Sequence, residues 1–540
     1  MSFVQAILDR CKERGPKPVL HEVHGDGLVA TSGDALLANV ASVRGLLRAE
    51  GVRAGDRVAL LAPNSARWAA ADLAILAEGA ICVPLYARQE PAQLAGMLRD
   101  CTPSLLIADG DALATAIGRE WSGGRVLTYE RAFAAPSVER SEPAKPDSGA
   151  AVTIIYTSGT SGEPKGVMLS DANVEYMLGV TVRELAKMTR ASRSEDRVFH
   201  YLPFCFAGSR IMLWSQLHRG NPMLLSTDLT RLQQELTVAV PHYCLNVPAL
   251  LERIRAGVDT KVAAMGGAVA PIYARAMRAA IDPAHAGSFE RAALSVAKRL
   301  LFPRIKQMIG ANLEFLACGS APLSEETQLW FQSIGIPVYQ VYGLTETTAI
   351  VTIDDTHNVV PGYVGHAIAG CDLKLSADGE LLTRGPNVFI GYWNRPDATA
   401  DMVRDGWLHT GDLAELDPNG NLKVLGRVKD VIVPESGHNV APLPIEQRIV
   451  EAAAGIEHAV VVGHGRPFLT AIVSGVADEA VIEKAIRATN EALPHYQRIR
   501  KHHRAPEPFT IENGMLTANQ KLKRKAIEQR YSSAIELMYR

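Results

Sequence analysis

Residues 57–109 read RVALLAPNSARWAAADLAILAEGAICVPLYARQEPAQLAGMLRDCTPSLLIAD, and this stretch alternates short apolar runs with longer runs of helical spacing. Trp68, Leu73 and Leu76 recur at the spacing of one helix face, and Ser65 before them is a typical helix cap. Strands are therefore predicted at residues 57–62, 80–85 and 103–109, and helices at residues 67–80 and 91–99. Alternation of this kind predicts a parallel sheet that is covered by helices.

The same alternation continues after residue 196, with predicted strands at residues 197–202, 221–225 and 242–247. Residues 262–310 are predicted to be mostly helical, with a break at Pro303. From Gly362 the pattern changes to short strands, separated by hairpin-type Asp-Gly and Asn-Gly pairs at residues 378–379, 405–406 and 419–420. The predicted fold class is α/β. It has a large N-terminal domain of doubly wound sheets with a small β-rich subdomain at about 362–428, followed by a small α+β C-terminal domain.

The composition excludes several classes of protein. With 540 residues, 47% of them hydrophobic and 21% charged, the chain has the make-up of a globular protein with several folding units. A formal net charge of -2 provides no overall attraction to nucleic acid or anionic lipid, so we expect no nucleic-acid partner and at most peripheral membrane contact. The seven cysteines include no CxxC pair, and the charges scattered through the first residues do not form a signal-peptide pattern. We therefore expect a cytoplasmic protein.

A loop of small and hydroxylic residues, YTSGTSGEPKG at residues 156–166, is the strongest local signal in the chain. Residues 157–162 leave backbone N–H groups open to an anion, their hydroxyls add donors, and Lys165 adds a positive charge. The loop lacks the Gly-Lys-Ser/Thr ending of a Walker loop, and an apolar run predicts a strand on each side of it. Such a loop can bind a polyphosphate. The alternative is a flexible surface loop without a ligand.

Two further motifs carry polar groups that suit a nucleotide. In VYGLTETT, at residues 341–348, Glu346 can ligate Mg²⁺ and Tyr342 can stack on a base. In GWLHTGD, at residues 406–412, Asp412 on a glycine turn can hold the two hydroxyls of a ribose, and GRVKD follows at residues 426–430. Taken singly, the first motif is equally compatible with a solvated acid at a strand end, and the second is better explained by an aspartate in an ordinary β-turn.

Together these motifs carry a family resemblance. They occur in the order seen in the AMP-forming adenylate superfamily, and the chain resembles its acyl-CoA synthetases, particularly the long-chain fatty acid branch. The likeness extends from GDRV at residues 55–58 to KLKRK at residues 521–525, which is nearly the whole chain. The helical stretch that leads into LACGSAP at residues 316–322, and NGMLTANQK at residues 513–521, resemble the long-chain branch in particular.

The resemblance implies an ATP-dependent ligase with two half-reactions. The carboxylate of a medium- or long-chain fatty acid attacks the α-phosphate of MgATP to give acyl-AMP and pyrophosphate, and the thiol of coenzyme A then takes the acyl group. The implied cofactors are ATP, Mg²⁺ and coenzyme A as a co-substrate. Such chemistry depends on positioning the reactants and neutralising phosphate charge.

Roles for individual residues come from the same resemblance. Lys521 is implied to contact the carboxylate and the α-phosphate during adenylation, and Thr345 to contact the α-phosphate. Glu346 is implied to bind Mg²⁺, with Ser158 as a second metal ligand. The remaining implied ATP contacts are Thr157, Ser158, Gly159, Thr160, Ser161, Gly162 and Lys165 at the β- and γ-phosphates, Gly319, Ser320, Ala321, Tyr342 and Gly343 at the adenine, and Asp412 and Arg427 at the ribose.

A hinge and an acyl pocket are also implied. Lys429 falls at the family's hinge, which would divide the chain into an adenylate-forming N-terminal domain, residues 1–428, and a mobile C-terminal domain, residues 429–540. The acyl pocket is implied at Phe204, Phe206 and Val247, and the pantetheine path at Gly437. Phe206 stands where the family often has histidine, which leaves the pocket shape open. VPESGH at residues 433–438 replaces the usual Ser-Gly-Gly-type turn, which leaves the acceptor open.

Other functions remain open at this point. An enzyme with the same first half-reaction can pass another carboxylic acid to an amine or to a carrier-protein thiol. A non-catalytic adenylate-binding protein would be favoured by loss of Glu346 or Lys521, and both residues are present. We expect a monomer or a homodimer that takes a fatty acid or another carboxylic acid as its substrate.

Overall fold

The computed structural model describes residues 2–134, 142–158, 164–517 and 521–540. Its strands are β1 (Pro18–His24), β2 (Gly27–Ser32), β3 (Arg57–Leu61), β4 (Ile81–Leu85), β5 (Leu105–Ala108), β6 (Arg125–Thr128), β7 (Ala151–Ser158), β8 (Pro164–Ser170), β9 (Val198–His200), β10 (Met223–Ser226), β11 (Tyr243–Asn246), β12 (Phe315–Cys318), β13 (Val338–Tyr342), β14 (Thr352–Ile353), β15 (His366–Ala367), β16 (Asp372–Leu375), β17 (Glu380–Arg384), β18 (Gly391–Tyr392), β19 (Val403–Arg404), β20 (Trp407–Leu416), β21 (Leu422–Arg427), β22 (Ile456–Val462), β23 (Leu469–Gly475) and β24 (Ile499–Arg504).

The helices cover the sheets and connect the strands. They are α1 (Phe3–Arg14), α2 (Gly33–Ala49), α3 (Ala66–Ala77), α4 (Pro91–Cys101), α5 (Gly110–Glu120), α6 (Tyr129–Ala134), α7 (Asp171–Met188), α8 (Ala207–Arg219), α9 (Leu232–Ala239), α10 (Pro248–Ala264), α11 (Val269–Ile281), α12 (Ser288–Leu300), α13 (Phe302–Gly310), α14 (Glu325–Ser333), α15 (Pro396–Met402), α16 (Pro442–Glu451), α17 (Glu479–Glu491), α18 (Arg524–Arg530) and α19 (Ser532–Tyr539), with short 3₁₀ turns at Leu229–Arg231, Thr345–Thr347, Val428–Asp430 and His495–Gln497. None of the helices in these described ranges is both long and apolar enough to cross a bilayer.

Two large sheets form most of the molecule. One has the strand order β15-β14-β13-β12-β11-β9-β10-β1-β2, and the other β18-β8-β7-β4-β3-β5-β6. In the first, β13, β12, β11, β9, β10 and β1 are parallel to one another, and in the second, β7, β4, β3, β5 and β6 are parallel. The predicted parallel sheets are therefore confirmed.

Helix α3 lies in an apolar core that the two sheets share. Its alanines allow close packing, and every residue of the helix except Arg67 is buried. The same core contains Leu60 of β3 and Leu225 of β10, one residue from each sheet. Asp72 is buried within α3, where it pairs with Arg210 of α8 and accepts a hydrogen bond from the indole of Trp214 at 2.9 Å. The ion pair and this bond compensate the cost of burying the carboxylate.

A smaller antiparallel sheet, β16-β17-β20-β19 with β21 beside β20, forms the β-rich region. The three predicted hairpin turns all occur here, and their glycines Gly379, Gly406 and Gly420 have φ angles of +80°, +76° and +86°. The region is less separate than the sequence pattern implies. Strand β15 pairs with β14 of the first large sheet, and β18 pairs with β8 of the second, so the change of pattern at Gly362 does not coincide with a sheet boundary.

The C-terminal residues form an α+β unit, as predicted, around the sheet β22-β23-β24. Its own apolar core joins Ile445 and Ile449 of α16 to Val461 of β22 and Ile482 of α17. The predicted helical stretch before Gly310 is also confirmed, and it consists of the end of α10 together with α11, α12 and α13. Pro303 is the second residue of α13, where its missing N–H costs no helical hydrogen bond.

Candidate active site

The candidate site lies at one edge of the first large sheet, where four parallel strands end side by side. Strand β9 leads into residues 201–206, β11 into Val247, β12 into residues 319–321, and β13 ends at Tyr342. Ligands of open α/β sheets bind outside the carboxyl ends of the strands. The fold therefore brings the residues predicted for the adenine and for the acyl group to the same edge.

Close backbone packing explains the two glycines at this edge. A Cβ atom on Gly343 would lie 2.1 Å from the carbonyl oxygen of Ala349, and one on Gly319 would lie 2.8 Å from Cγ2 of Val341. Ser320 has a φ of +74°, and both Ser320 and Ala321 are exposed. The loop after β12 is thus held close to the end of β13 while its next two residues face solvent.

Tyr342, Asp412 and Arg427 form a hydrogen-bonded group. The pairing of β20 with β21 places Asp412 directly opposite Arg427, whose Nε lies 2.7 Å from Oδ1 of Asp412. The hydroxyl of Tyr342 donates to Oδ2 of Asp412 at 2.6 Å. Burial raises the pKa of Asp412, and the Arg427 charge and the Tyr342 hydrogen bond oppose that rise. The prediction that Asp412 sits on a glycine turn is wrong: it is buried within a strand, and Gly411 before it has a φ of +69°.

Glu346 is held by a residue that sequence reasoning missed. The hydroxyl of Tyr392 donates to Oε1 of Glu346 at 2.7 Å, and the ammonium of Lys165 lies 5.2 Å from the centroid of the Tyr392 ring. The pairing of β18 with β8 brings Tyr392 opposite Val167, two residues after Lys165. Burial, followed by the Glu346 charge, raises the pKa of the Tyr392 phenol, so Tyr392 remains a hydrogen-bond donor at neutral pH. No local pattern marks Tyr392, because its role depends on a pairing between distant strands.

Lys521 approaches the same charged groups from the C-terminal unit. Its ammonium interacts electrostatically with the carboxylates of Asp412 and Glu346 and with the guanidinium of Arg427. The Lys521 side chain is exposed to solvent on one side and faces these groups on the other. Partial desolvation by the neighbouring protein atoms, followed by repulsion from Arg427, lowers the pKa of Lys521 below its usual value. The carboxylates of Asp412 and Glu346 act to raise it.

The predicted phosphate loop joins two antiparallel strands. Strands β7 and β8 pair with Thr157 opposite Lys165, and Ser170 caps α7 through a capping box with Asn173. The predicted ligands Gly159, Thr160, Ser161 and Gly162 lie outside the described residues. For Ser158 only the backbone, within β7, is described.

The predicted acyl residues differ in their surroundings. Phe204 is fully buried, with its ring centroid 5.2 Å from that of His200 and 5.1 Å from that of Trp68. Phe206 is half-buried, and its centroid lies 6.0 Å from that of Tyr86. Val247 is also half-buried, and its N–H donates to the hydroxyl of Tyr201 at 3.3 Å. Phe204 is thus a core residue in this structure, whereas Phe206 and Val247 retain exposed surface at the sheet edge.

The remaining predicted site residues, Thr345, Lys429 and Gly437, lie in turns and loops between the regular elements. Thr345 opens the 3₁₀ turn that carries Glu346. Lys429 lies in the 3₁₀ turn that follows β21, and Asp430, Arg427 and Asp412 are among its charged neighbours. Gly437 has a φ of +76° and lies in the loop before α16, where a Cβ atom would meet nothing within 4 Å.

The donor set suits a magnesium–nucleotide complex better than a metal ion bound by protein alone. In the described ranges no three or more His, Cys, Asp or Glu residues group together as a metal site. Glu346 is half-buried and offers a single carboxylate, and Mg²⁺ is commonly held by one or two carboxylates together with substrate phosphates. The residues present therefore fit MgATP.

Comparison with known proteins gives matches along nearly the whole chain. The family model of AMP-binding enzymes matches residues 9–393, and that of the AMP-binding enzyme C-terminal domain matches residues 429–540. The long-chain-fatty-acid–CoA ligase FadD15 of Mycobacterium bovis is 31% identical over 91% of this chain and 89% of its own length. The long-chain-fatty-acid–CoA ligase ACSBG2 of Rattus norvegicus is 26% identical over 89% and 84% of the two chains. The solved structure of the anthranilate CoA ligase AuaEII in complex with anthranoyl-AMP superposes with a TM-score of 0.78, at 19% identity over 98% of this chain and 97% of that one. At that identity the structural likeness bears on the fold alone.

Proposed function

Since this chain belongs to the family of AMP-binding enzymes, we propose that it activates a medium- or long-chain fatty acid with ATP and transfers it to coenzyme A. The relatives named long-chain-fatty-acid–CoA ligases, which match over most of the chain, support this substrate and this acceptor. The structural observation that carries the proposal is the convergence of Asp412, Glu346 and Lys521 near the end of β13, where Tyr342 donates its hydrogen bond to Asp412.

In the first half-reaction a carboxylate oxygen of the acid attacks the α-phosphorus, the bond from that phosphorus to the bridging oxygen breaks, and pyrophosphate leaves. Lys521 stabilises the charge shared by the carboxylate and the α-phosphate, and Thr345 donates to the α-phosphate. Glu346 would hold Mg²⁺, with Ser158 as a second ligand, and the ion would neutralise phosphate charge. Lys165 and the loop residues 157–162 bind the β- and γ-phosphates. These groups act by position and charge rather than by forming covalent bonds.

The nucleoside half of ATP would lie against the strand ends. Asp412 and Arg427 would hold the ribose hydroxyls, with Tyr342 fixing the orientation of the Asp412 carboxylate through its 2.6 Å hydrogen bond. The adenine would lie between residues 319–321 and the Tyr342–Gly343 segment. The close approach of Gly319 to Val341 supports this assignment, because it holds the loop after β12 against the end of β13.

In the second half-reaction the thiol of coenzyme A gives its proton to solvent and its sulfur attacks the acyl carbonyl carbon. The bond from that carbon to the phosphate oxygen breaks, and AMP leaves. We assign residues 429–540 to a mobile C-terminal domain that turns about Lys429 between the half-reactions. After that rotation Lys521 would leave the site and Gly437 would border the pantetheine. Lys429 lies in the short turn that links β21 to the C-terminal unit, and this position supports a hinge there.

The acyl chain would enter between Phe206 and Val247, which retain exposed surface next to the strand ends. Phe204 would take part only if the core around it opened, because it is fully buried. The ring of Tyr86 lies beside that of Phe206, with centroids 6.0 Å apart, and two rings at this entrance would favour a shorter or ring-bearing acid. The alternative function is the activation of such an acid and its transfer to an amine or a carrier-protein thiol. We place the enzyme in the cytoplasm as a monomer or a homodimer, with at most peripheral contact to membranes.

Pyrophosphate release over a panel of acids, with and without coenzyme A, tests the function. We expect kcat/KM to rise from butyrate to about a dodecanoate-sized chain, by roughly tenfold for each two carbons, because each buried methylene contributes up to about 0.8 kcal/mol. Phe206→Ala should shift the optimum to longer acids. A flat profile, or faster turnover of benzoate-type acids, would contradict the fatty-acid assignment. Turnover that does not depend on coenzyme A would support the alternative acceptors.

A further inference from the structure

Asp100, near the end of α4, bonds to two segments that are far from it in the chain. Oδ2 of its carboxylate accepts a hydrogen bond from the hydroxyl of Tyr156 at 2.7 Å, and Oδ1 lies 2.9 Å from Nη2 of Arg395. Its backbone carbonyl oxygen accepts from Nε1 of Trp393 at 3.2 Å and from Nδ2 of Asn394 at 3.3 Å. The side chain of Asp100 is only 15% exposed, so water competes little for these partners. Asp100 therefore connects β7 to residues 393–395.

These contacts do more for the two segments than for α4. Asp100 stands in the last turn of α4, where a carboxylate is unfavourable because the C-terminal end of the helix dipole is negative. The guanidinium of Arg395 compensates that charge. Burial, followed by interaction with Cys101 and Asp100, raises the pKa of the Tyr156 phenol, so Tyr156 remains a hydrogen-bond donor at neutral pH.

Tyr156 and Trp393 meet again at Gly166 of β8. The pairing of β7 with β8 places Tyr156 opposite Gly166, whose carbonyl oxygen accepts from the backbone N–H of Trp393 at 2.8 Å. A Cβ atom on Gly166 would lie 2.6 Å from Cγ2 of Ile154 and 3.3 Å from Cβ of Trp393 and from Cζ of Tyr156. The two strands and residues 393–395 are thus packed together without room for a methyl group.

The same packing fixes two groups of the candidate site. Lys165 directly precedes Gly166, and Tyr392 directly precedes the segment that bonds to Asp100. The hydroxyl of Tyr392 donates to Glu346 at 2.7 Å, and the ammonium of Lys165 lies 5.2 Å from the centroid of the Tyr392 ring. A shift of β7 and β8 against residues 393–395 would therefore change the distance between Lys165 and Glu346.

We propose that Asp100 is a positioning residue for MgATP, which holds Lys165 and Glu346 at the separation that the phosphates and the metal ion require. The role rests on the proposed function, in which Lys165 meets the β- and γ-phosphates and Glu346 meets Mg²⁺. Asp100 acts through Tyr156 and residues 393–395 and does not itself touch the nucleotide.

Calorimetric titration of the full chain with MgATP, without any acid, tests the proposal. Asp100→Ala and Tyr156→Phe should each raise the Kd for MgATP by about tenfold, the scale of one hydrogen bond to a charged group. The double variant should bind no more weakly than Asp100→Ala, because that change already removes the bond that Tyr156→Phe deletes. Asp372→Ala is the matched control, since it breaks an ion pair with Arg384 between β16 and β17, and it should not change the Kd.

Kinetics with both substrates separate positioning from a general loss of structure. In ATP–pyrophosphate exchange, Asp100→Ala should raise KM for MgATP by about tenfold and leave KM for the acid unchanged. A partly unfolded protein would instead lose kcat with both KM values unchanged. Asp100→Asn keeps an acceptor oxygen for Tyr156, so its Kd should lie between those of the wild type and Asp100→Ala.

A wild-type Kd in folded Asp100→Ala, or additive losses in the double variant, would overturn the positioning role. If Asp100→Ala does not fold, Tyr156→Phe decides by the same criterion. A chain that binds MgATP with the expected shifts but activates no fatty acid would contradict the proposed substrate and support the role of Asp100. A wild-type chain that does not bind MgATP would contradict the proposed function and overturn this role with it.

Discussion

At the scale of single residues, the site depends on side chains that hold one another in position before any ligand binds. Both carboxylate oxygens of Asp412 already have partners, Tyr342 and Arg427, and one oxygen of Glu346 is engaged by Tyr392. Fixed partners of this kind reduce the reorganisation needed when phosphate charge arrives. Lys521 comes from the C-terminal unit, so the proposed hinge movement would withdraw it without disturbing the other three side chains.

Removing the Lys521 ammonium should separate the two half-reactions. Lys521→Ala should lower ATP–pyrophosphate exchange by about 10²-fold or more, the scale expected for one charged transition-state contact. Thioester formation from synthetic acyl-AMP should survive, because the proposed rotation withdraws Lys521 before that step. Lys523→Ala, two residues away, is the control and should leave both assays near wild type. An equal loss in both assays would contradict the proposed role of Lys521 in adenylation.

Removing only the Tyr392 hydroxyl should weaken the use of Mg²⁺. In Tyr392→Phe, Glu346 loses a hydrogen bond to a charged group, and such a bond contributes about 1.5–3 kcal/mol. We expect calorimetric titration with ATP to require about tenfold more Mg²⁺ for half-maximal affinity, with the melting temperature little changed. Tyr176→Phe, whose hydroxyl donates to the backbone of Ala369 away from the site, should not change this requirement. An unaltered Mg²⁺ dependence in Tyr392→Phe would mean that the Tyr392 hydroxyl does not position Glu346.

At the scale of elements, the ends of β9, β11, β12 and β13 carry the loops that we propose to face the substrates, and β20 with β21 carries the Asp412–Arg427 pair. The 3₁₀ turn Val428–Asp430 follows β21 directly, so a change of dihedral angles there would turn everything after it as one body. The loops at the strand ends and this turn thus have different tasks. In the proposed function the loops hold the nucleotide, and the turn sets where Lys521 lies.

A proline at the turn should block the movement and spare the first half-reaction. Lys429→Pro would hold φ near about −65°, a value that a 3₁₀ turn already adopts. Acyl-AMP formation should therefore persist, while transfer to coenzyme A should fall by about 10²-fold if rotation is required. Lys429→Ala is the control, since it removes the charge but leaves φ free, and it should transfer the acyl group at a rate near wild type. Loss of adenylation in a folded Lys429→Pro protein would show that the hinge lies elsewhere.

At the scale of the whole molecule, the shared core contains a histidine that links stability to pH. His200 of β9 is fully buried, and its ring stacks on that of Phe204 with an interplanar angle of 10°. Burial lowers the pKa of His200 from 6.5 to about 4. The folded chain therefore binds fewer protons at this site than the unfolded chain between these two values. The stability gained by burying a neutral His200 is therefore complete above pH 6.5 and is lost as pH falls toward 4.

Replacing this histidine should flatten the acid side of the stability profile. Between about pH 7.5 and pH 5 the protonation of His200 in the unfolded chain should cost the wild-type protein about 2 kcal/mol of unfolding free energy. His200→Phe keeps a stacked ring without a titrating group and should lose correspondingly less, as measured by urea unfolding at both pH values. His285→Gln, at an exposed histidine, is the control and should retain the wild-type difference. The same pH dependence in His200→Phe as in the wild type would contradict this assignment.

The sequence alone determined the parallel sheets, the hairpins with Asp-Gly and Asn-Gly turns, a helix break close to Pro303, which falls at Leu301, and the order of the nucleotide motifs. These features depend on neighbours a few residues apart, whose periodicity and turn chemistry can be read along the chain. Tertiary structure decided that Asp412 lies within a strand opposite Arg427, that Phe204 is a core residue, and that Tyr392 holds Glu346. Each of these depends on strand pairing or packing between segments far apart in the chain, for which no local pattern of residues provides a signal.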